Sequence, residues 1–203
     1  NKAYYESCDL LMGISKQTVN INKLVLGEKA NNKIIDYVPH GMNPKIFHPI
    51  SEDSDKYSAI QKLRKDIARE GEAKFVLFFN SRNIRRKSIP DTLLAWKYFI
   101  DQLSEEEAKS CYFILHTDAV SEAGTDLPAV KDYLFGKDYN NVMLSTNKVT
   151  AEQLNNFYNL ADAQILLSSA EGWGLALTEA LLTGTPIIAN VTGGMQDQMR
   201  FED

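Results

Sequence analysis

From about residue 74 onward, short apolar runs alternate with stretches whose apolar residues recur at helical spacing. The runs predict β-strands at residues 75–79, 111–115, 141–144, 163–167 and 186–189. The stretches between them predict helices at residues 91–99, 129–134, 150–161 and 175–183. Strands that are apolar throughout and alternate with helices are typical of a parallel sheet covered on both faces. The pattern therefore predicts an α/β fold with a doubly wound, Rossmann-like parallel sheet, which binds ligands beyond the carboxyl ends of its strands.

Side-chain types at the predicted helix starts refine two of these helices. Asp91 is the predicted N-cap of the first helix, which has Leu94, Ala95, Tyr98 and Phe99 on one face. The third helix is expected to start at Thr150, with Glu152 and Gln153 in its first turn.

The first fifty residues follow a different pattern. They read as a strand, a helix and a second strand, at residues 8–15, 16–26 and 34–38. Residues 39–44 contain two prolines and a glycine, which break regular structure. We therefore expect residues 1–50 to form the last βα unit of a preceding domain plus an interdomain linker, and residues 51–203 to form a second domain. Because the sequence stops soon after the fifth strand of that domain, its sheet is expected to be truncated.

The composition is that of an ordinary globular protein. Hydrophobic residues make up 44% of the 203 residues and charged residues 24%, which allows a sizeable core. A net charge of −5 argues against a general nucleic-acid surface, since such surfaces need a basic face. Cys8 and Cys111 lie in apolar runs, so both are expected to be buried and reduced. No apolar run approaches the ~20 residues of a membrane span and no signal peptide is visible, so a cytoplasmic location is the default expectation.

A cluster of cations follows the first strand of the second domain. Arg82, Arg85, Arg86 and Lys87 lie close together in a chain that is acidic overall. One interpretation is a solvated basic loop. The other is a diphosphate site, because a loop at the end of a central strand opens into the ligand crevice, where Arg and Lys suit phosphate oxygens. The turn has no glycine, so its backbone cannot cradle a pyrophosphate alone, and this disfavours a nicotinamide enzyme.

Two glutamates bracket a glycine turn after the fourth strand. Residues 171–175 read Glu-Gly-Trp-Gly-Leu, and Glu179 follows on the next helix. The glycines let backbone amides approach a ligand, and the helix supplies a positively polarised N-terminus. Glu179 lies near the buried side of that helix and can accept two hydrogen bonds from a sugar diol. Gly193 and Gly194, after the fifth strand, also suit a close backbone approach, although such a pair alone is more often a turn.

These motifs resemble the donor domain of retaining GT-B glycosyltransferases, a group that includes mannosyltransferases, sucrose synthase and glycogen synthase. The resemblance rests on residues 171–175, Glu179, Gly184-x-Pro186, Gly193-Gly194, Arg82, Lys87 and the Pro39-His40-Gly41 linker. The sequence departs from the family pattern at four positions. Trp173 stands for a common Phe, Ser81 and Ser88 stand for glycines, and Asp197 stands for a common Glu.

The resemblance implies a retaining hexosyltransferase that moves a sugar from a nucleotide-diphosphate sugar to an acceptor hydroxyl. Residues 1–50 would then end an N-terminal acceptor domain, and residues 51–203 would be a nucleotide-sugar donor-binding domain that is incomplete at its C-terminus. Arg82, Lys87 and Glu171 are the residues implied in catalysis. The implied donor-binding residues are Arg82, Lys87, Glu171, Gly172, Trp173, Gly174, Leu175, Thr178 and Glu179.

Neither a cofactor nor a metal is expected, because side-chain cations and glycine-loop amides would stabilise the leaving diphosphate. Asp53 and Asp55 form an Asp-x-Asp pair, but their polar surroundings favour a solvated loop. The implied partners are a nucleotide-sugar donor and an acceptor glycan, lipid or small molecule, without nucleic acid. Membrane contact through the preceding domain stays open, and the chain by itself is expected to be inactive. The alternatives are a sugar-nucleotide epimerase of the same architecture and a non-catalytic nucleotide-sugar-binding module.

Overall fold

The chain is built around a five-stranded parallel sheet. A computed structural model describes residues 2–68 and 71–200. Its strands are β1 Leu10–Gly13, β2 Ile34–Tyr37, β3 Phe75–Asn80, β4 Cys111–His116, β5 Val142–Ser145, β6 Ala163–Leu166 and β7 Ile187–Ala189. Its α-helices are α1 Lys2–Glu6, α2 Lys16–Leu26, α3 Asp55–Ala68, α4 Ile89–Ile100, α5 Glu105–Lys109, α6 Leu127–Phe135, α7 Ala151–Leu160, α8 Leu175–Thr183 and α9 Gly194–Gln198. The large sheet has the order β5-β4-β3-β6-β7, and every neighbouring pair is parallel, which confirms the predicted fold class.

Strand β3 shows why the sheet is covered on both faces. Val76 and Phe78 point into one apolar cluster and Leu77 and Phe79 into another, and none of the four is more than 4% exposed. Alternate residues of a strand face opposite sides of a sheet, so an uninterrupted apolar strand needs packing on both. Strands β4 and β5 lie on one side of β3, whereas β6 and β7 lie on the other. The order therefore reverses between β3 and β6, which is where a doubly wound sheet opens its ligand crevice.

The N-terminal segment forms a separate two-stranded parallel sheet, in which β1 pairs with β2. Helix α2 connects these strands with the predicted bounds, and the Ser15 side chain caps it by accepting a hydrogen bond from the Thr18 amide at 3.1 Å. The segment after β2 is tied to α7, because the Ile50 amide donates to the Asn159 carboxamide oxygen at 2.8 Å. Phe47 in this segment is buried. The division into domains at residue 50 stays a prediction.

Helix α4 differs from its prediction in both its start and its buried face. Ser88, not Asp91, is the N-cap, and Asp91 lies exposed in the first turn. The helix buries Ile89, Thr92, Leu93 and Trp96, whereas Leu94, Tyr98 and Phe99 are exposed. The helix has apolar side chains around most of its circumference, so spacing alone did not distinguish the stripe that faces the sheet.

Three further outcomes concern single features. Cys111 is buried as expected, but Cys8, which lies just before β1, is exposed. Helix α3 occupies a stretch for which the apolar pattern predicted no helix. Helix α7 begins at Ala151, one residue after its predicted start at Thr150, and Thr150 is its N-cap, whose side chain accepts a hydrogen bond from the Gln153 amide.

Candidate functional site

A cleft of about 490 Å³ opens at the carboxyl edge of the large sheet. Its walls are the segments that follow β3, β4, β5 and β6, together with His40 from the linker. The predicted residues that line it are Arg82, Lys87, Glu171, Trp173, Gly174, Leu175 and Glu179. Gly172 and Thr178 lie outside this lining. The cleft therefore brings together most of the set that the motifs indicated from distant parts of the sequence.

Glu171 lies at the centre of a buried ion cluster. Its carboxylate accepts a hydrogen bond from Arg86 at 2.8 Å and a second one from the Lys87 ammonium, and both Glu171 and Lys87 are 8% exposed. Burial by itself would raise the pKa of Glu171, but hydrogen bonds, including those from Lys87 and Arg86, and the charge of Lys87 together outweigh it and hold that pKa below its ordinary value. The carboxylate is therefore ionised at neutral pH, and the cluster carries one net positive charge.

The sequence motifs did not single out Arg86. In the structure, Arg86 both neutralises Glu171 and connects two loops of the cleft. Its guanidinium also donates to the carbonyl oxygen of Ala170 at 2.7 Å. This pair of contacts joins the loop after β3 to the turn after β6. In the sequence, Arg86 is one of four neighbouring cations, and only the fold brings it to Glu171.

The cation loop owes its shape to a buried asparagine rather than to glycine. The Asn83 carboxamide donates to the carbonyl oxygens of Asp118 and Thr125 and accepts from the Thr125 amide, at 2.6 to 3.1 Å. Ser88 then turns the chain into α4 with a φ of 49° and a ψ of 42°. This is the left-handed region that favours glycine, the residue that the resembling family has there. The serine therefore keeps the turn at some cost in conformational strain.

Arg82 is exposed and differs from Arg86 and Lys87 because its side chain has no hydrogen bond or ion pair among the described residues. It lines the cleft on the side of β3, next to Asn80 and Ser81. Lys148 adds a fourth cation to the cleft lining, from the loop after β5. The cleft therefore carries a local positive charge although the chain is acidic overall.

Glu179 is held by two donors that leave one of its oxygens available. The Tyr158 hydroxyl donates to Glu179 Oε2 at 2.5 Å and the Asn80 amide donates to the same atom at 3.1 Å. Glu179 Oε1 has no hydrogen-bond partner within residues 2–68 and 71–200. Burial raises the pKa of Glu179, and the two donated hydrogen bonds offset only part of that effect. A carboxylate fixed at one oxygen and open at the other is suited to accept hydrogen bonds from a ligand.

The two glycine turns, one at residues 171–175 and one at Gly193 and Gly194, pack directly against each other. The Gly194 amide donates to the carbonyl oxygen of Glu171 at 3.3 Å. A Cβ atom on Gly193 would lie 1.7 Å from that same oxygen, and one on Gly194 would lie 2.5 Å from the carbonyl oxygen of Gly172. These glycines therefore allow a close approach to a neighbouring backbone.

Helix α8 presents its N-terminus to the cleft. Its N-cap is Gly174, which has a φ of 87° and no side chain that could cap the first amides. Gly174, Leu175 and Ala176 all line the cleft. A helix start with uncapped amides carries partial positive charge and suits an anion.

His116 and His40 complete the walls of the cleft. The His116 ring stacks on Phe157 with centroids 5.9 Å apart, and its Nδ1 lies 3.0 Å from the Ser145 hydroxyl. Burial lowers the pKa of His116, so this imidazole is neutral at physiological pH. His40 contacts Trp173 edge to face at 6.4 Å. His40 comes from the linker after β2 and also lines the cleft.

The Asp-x-Asp pair lies away from the cleft. Asp53 is in an exposed turn and Asp55 begins α3. Across residues 2–68 and 71–200 no three or more His, Cys, Asp or Glu side chains are grouped so that they could hold a metal ion. Within the same residues, no helix is long and apolar enough to cross a membrane.

The sheet order and the cleft at its switch point define a Rossmann-like domain. Residues 136–202 match the family of glycosyl transferases group 1, which confirms the resemblance that the motifs indicated. A mannosylfructose-phosphate synthase of Agrobacterium fabrum is 24% identical over 191 residues, covering 94% of this chain and 39% of that protein.

Two solved structures show the same fold. Sucrose-phosphate synthase from Thermosynechococcus elongatus superposes with a TM-score of 0.68 at 20% identity, over 97% of this chain and 44% of that one. A structure described as trehalose-6-phosphate from E. coli bound with UDP-2-fluoro glucose superposes with a TM-score of 0.74 at 12% identity, over 96% of this chain and 49% of that one. This chain thus spans about half the length of these proteins or less.

Proposed function

We propose that this chain is the donor-binding half of a metal-independent retaining glycosyltransferase, which transfers a hexose from a nucleotide-diphosphate sugar to an acceptor hydroxyl. The observation that carries the proposal is that four features converge in one cleft. They are the unpaired Arg82 side chain, the buried Lys87–Glu171 pair, the uncapped N-terminus of α8, and Glu179, which has one oxygen without a hydrogen-bond partner among the described residues. Each of these features suits one part of a nucleotide sugar.

The diphosphate is the leaving group, and its departure concentrates negative charge. Arg82 is free to bind phosphate oxygens, and the amides at Gly174 and Leu175 carry the partial positive charge of α8. Lys87 already donates to Glu171, and its three N–H donors allow it to bind a phosphate oxygen as well. These groups are in place before the reaction, and preorganised donors of this kind stabilise developing charge most effectively.

The ribose and the sugar are assigned to the two glutamates. Oε1 of Glu179 would accept hydrogen bonds from the ribose diol, while Tyr158 and Asn80 hold Oε2 in place. Glu171 would accept from hydroxyls of the donor sugar, and its two cations would keep it ionised for that role. Gly172, Trp173 and Thr178 would support this turn, because they surround the residues that touch the donor.

The acceptor would bind to a part of the protein that this chain does not contain. Glycosyl transfer needs donor and acceptor held in reacting geometry, which one half of a site cannot provide. We therefore propose that the chain alone has no transferase activity but retains nucleotide binding. Its partners would be the nucleotide-sugar donor and an acceptor glycan, lipid or small molecule, and its location would be cytoplasmic.

The test is calorimetry of the chain with UDP, GDP and ADP. A charged hydrogen bond contributes about 1.5–3 kcal/mol, so Arg82→Ala should weaken the nucleotide that binds by roughly tenfold or more. Arg85→Ala is the matched control, because Arg85 is exposed, lies three residues away and does not line the cleft. Equal losses in both variants, or no binding of any of the three nucleotides, would contradict the proposal.

The alternatives predict different outcomes with the longer protein. A non-catalytic binding module would bind the nucleotide sugar without transferring its sugar to any acceptor. An epimerase would interconvert sugar nucleotides without an acceptor. The Lys87–Glu171 pair favours transfer over mere binding, since it holds a carboxylate and a cation together at the end of a central strand.

A further inference from the structure

Three side chains at the glycine turn form a closed ring of hydrogen bonds. Trp173 Nε1 donates to Thr178 Oγ1 at 2.9 Å, and this hydroxyl donates to Gln198 Oε1 at 2.7 Å. Gln198 Nε2 donates back to the carbonyl oxygen of Trp173 at 2.6 Å. The ring joins the glycine turn, helix α8 and helix α9, which are separate segments of the chain.

The ring holds the part of the glycine turn that follows Glu171, whereas Arg86 and the Gly194 amide contact Ala170 and Glu171. Gly172 and Gly174 have no side chains, and glycine loses more conformational freedom on folding than any other residue. The N-cap Gly174 also offers no side chain to the first amides of α8. The contacts between the two glycine turns set how closely the backbones approach, whereas the ring holds Trp173 at both its indole nitrogen and its carbonyl oxygen.

The residues that the ring holds in place form part of the cleft wall. Trp173 and Gly174 both line it, and Leu175 follows with the first amide of α8. The indole lies against the His40 ring, with an interplanar angle of 83°. A shift of Trp173 would therefore change the space beside Glu171 and move the amides that face the cleft.

The ring depends on a particular combination of residue types. A phenylalanine at position 173, which is common in the resembling family, has no N–H to donate to Thr178. A leucine or methionine at position 198 could neither accept from Thr178 nor donate to Trp173. The three residues therefore depend on one another, although 25 positions separate Trp173 from Gln198.

We infer that Gln198 and Thr178 are positioning residues for the donor cleft, acting through Trp173. They hold the indole and the following backbone amides in the orientation that binds a nucleotide diphosphate. The effect on nucleotide binding rests on the proposed function, whereas the fixed orientation of Trp173 does not.

The test uses variants of the intact chain that remove the ring's hydrogen bonds and keep its volume. Gln198→Met removes the donor and the acceptor together, and Thr178→Val removes the hydroxyl. Gln198→Glu keeps the acceptor for Thr178 but loses the donor to the Trp173 carbonyl, and serves if Gln198→Met fails to fold. The matched control is Gln196→Met, because Gln196 lies on the same short helix and its side chain makes no hydrogen bond among the described residues.

The first readout is acrylamide quenching of tryptophan fluorescence without any ligand. Trp96 is 2% exposed and shielded from the quencher, so the quenchable emission comes from Trp173. Gln198→Met and Thr178→Val should raise the quenching constant and shift the emission to longer wavelength. Thr178→Ser restores the hydroxyl and should recover most of the wild-type signal. Gln196→Met should match the wild type, as should the circular dichroism of every variant used.

The second readout is the affinity for UDP, GDP or ADP by calorimetry. Losing the ring's neutral hydrogen bonds should weaken the nucleotide that binds by about threefold to tenfold in Gln198→Met and Thr178→Val. If the wild-type chain binds none of the three nucleotides, the proposed function fails. The quenching comparison alone then tests whether the ring fixes the orientation of Trp173. Folded Gln198→Met or Gln198→Glu protein with wild-type quenching would overturn the inference. Raised quenching with unchanged nucleotide affinity would overturn its functional part.

Discussion

The ion pair between Lys87 and Glu171 should be a strongly coupled interaction. Both side chains are almost fully buried, with 11% and 4% of their side-chain surfaces exposed. Removing one partner of a buried pair leaves an uncompensated charge, which typically costs about 3–5 kcal/mol. Arg86 remains bonded to Glu171 at 2.8 Å, so we expect Lys87→Met to lower the free energy of unfolding by about 3 kcal/mol, the lower end of that range.

A double-mutant cycle isolates the pairwise contribution from these costs. The Lys87→Met and Glu171→Gln single variants are compared with the double variant by urea unfolding at pH 7. A charged hydrogen bond contributes about 1.5–3 kcal/mol, so the double variant should be less destabilised than the sum of the single variants by about 1.5 kcal/mol or more. The pKa of Glu171 is lowered in the fold, so its contribution is present above the ordinary value of 4.5 and is lost as the pH falls through the lowered value.

The matched control is the pair of Lys97 on helix α4 and Asp101 at its C-cap, whose side chains are 31% and 51% exposed. Exposed pairs at this helical spacing couple by about 0.3–0.5 kcal/mol, because water screens both charges. A coupling between Lys87 and Glu171 no larger than that of Lys97 and Asp101 would refute the view that burial makes this cluster a fixed part of the site.

Three further predictions concern Glu179, Ser88 and Gly193. Burial raises the pKa of Glu179, so its stabilising contribution is present at low pH and is lost as the pH rises through that raised value. Glu179→Gln should therefore be at least as stable as wild type at pH 7, and the difference should disappear below about pH 4.5; urea unfolding across pH checks this. Ser88→Gly should raise the free energy of unfolding by about 0.5–1 kcal/mol by relieving the left-handed φ, and an unchanged melting temperature would contradict that reason. Gly193→Ala should destabilise the fold far more than Gly27→Ala. Both glycines have nearly the same φ and ψ, but only at Gly193 would the added Cβ lie 1.7 Å from a backbone oxygen. Similar losses of melting temperature in the two variants would contradict the close packing of the Gly193 turn against Glu171.

The sequence predicted the regular elements best where a local signal marked their ends. Helices α2 and α8 have the predicted bounds, since Ser15 caps the first and Gly184 ends the second. The start of α4 was wrong because a left-handed serine begins it, and no side-chain cap marks that position. Its buried face was wrong because two apolar stripes of helical spacing competed, and only contact with the sheet decides between them.

The site was predictable in its location and less so in its contacts. The motifs indicated the cations, the glycine turn and the two glutamates, because each follows a strand of the large sheet. They did not single out Arg86, since its partner Glu171 lies 85 positions away in the sequence. The partners of Glu179 and the ring at Gln198 were missed for the same reason: they join residues by tertiary contact and leave no spacing to detect.

The measurement that tests the account most directly compares ribonucleoside diphosphates with their 2′-deoxy counterparts. Calorimetry with UDP, GDP and ADP first identifies the nucleotide that binds the wild-type chain. If Oε1 of Glu179 receives the ribose diol beside the cations of the cleft, the wild type should bind the deoxy form more weakly. Glu179→Gln should bind both forms weakly and about equally. Equal affinity of the wild type for the two forms would contradict the assignment of this cleft as a nucleotide-sugar site organised by Glu179.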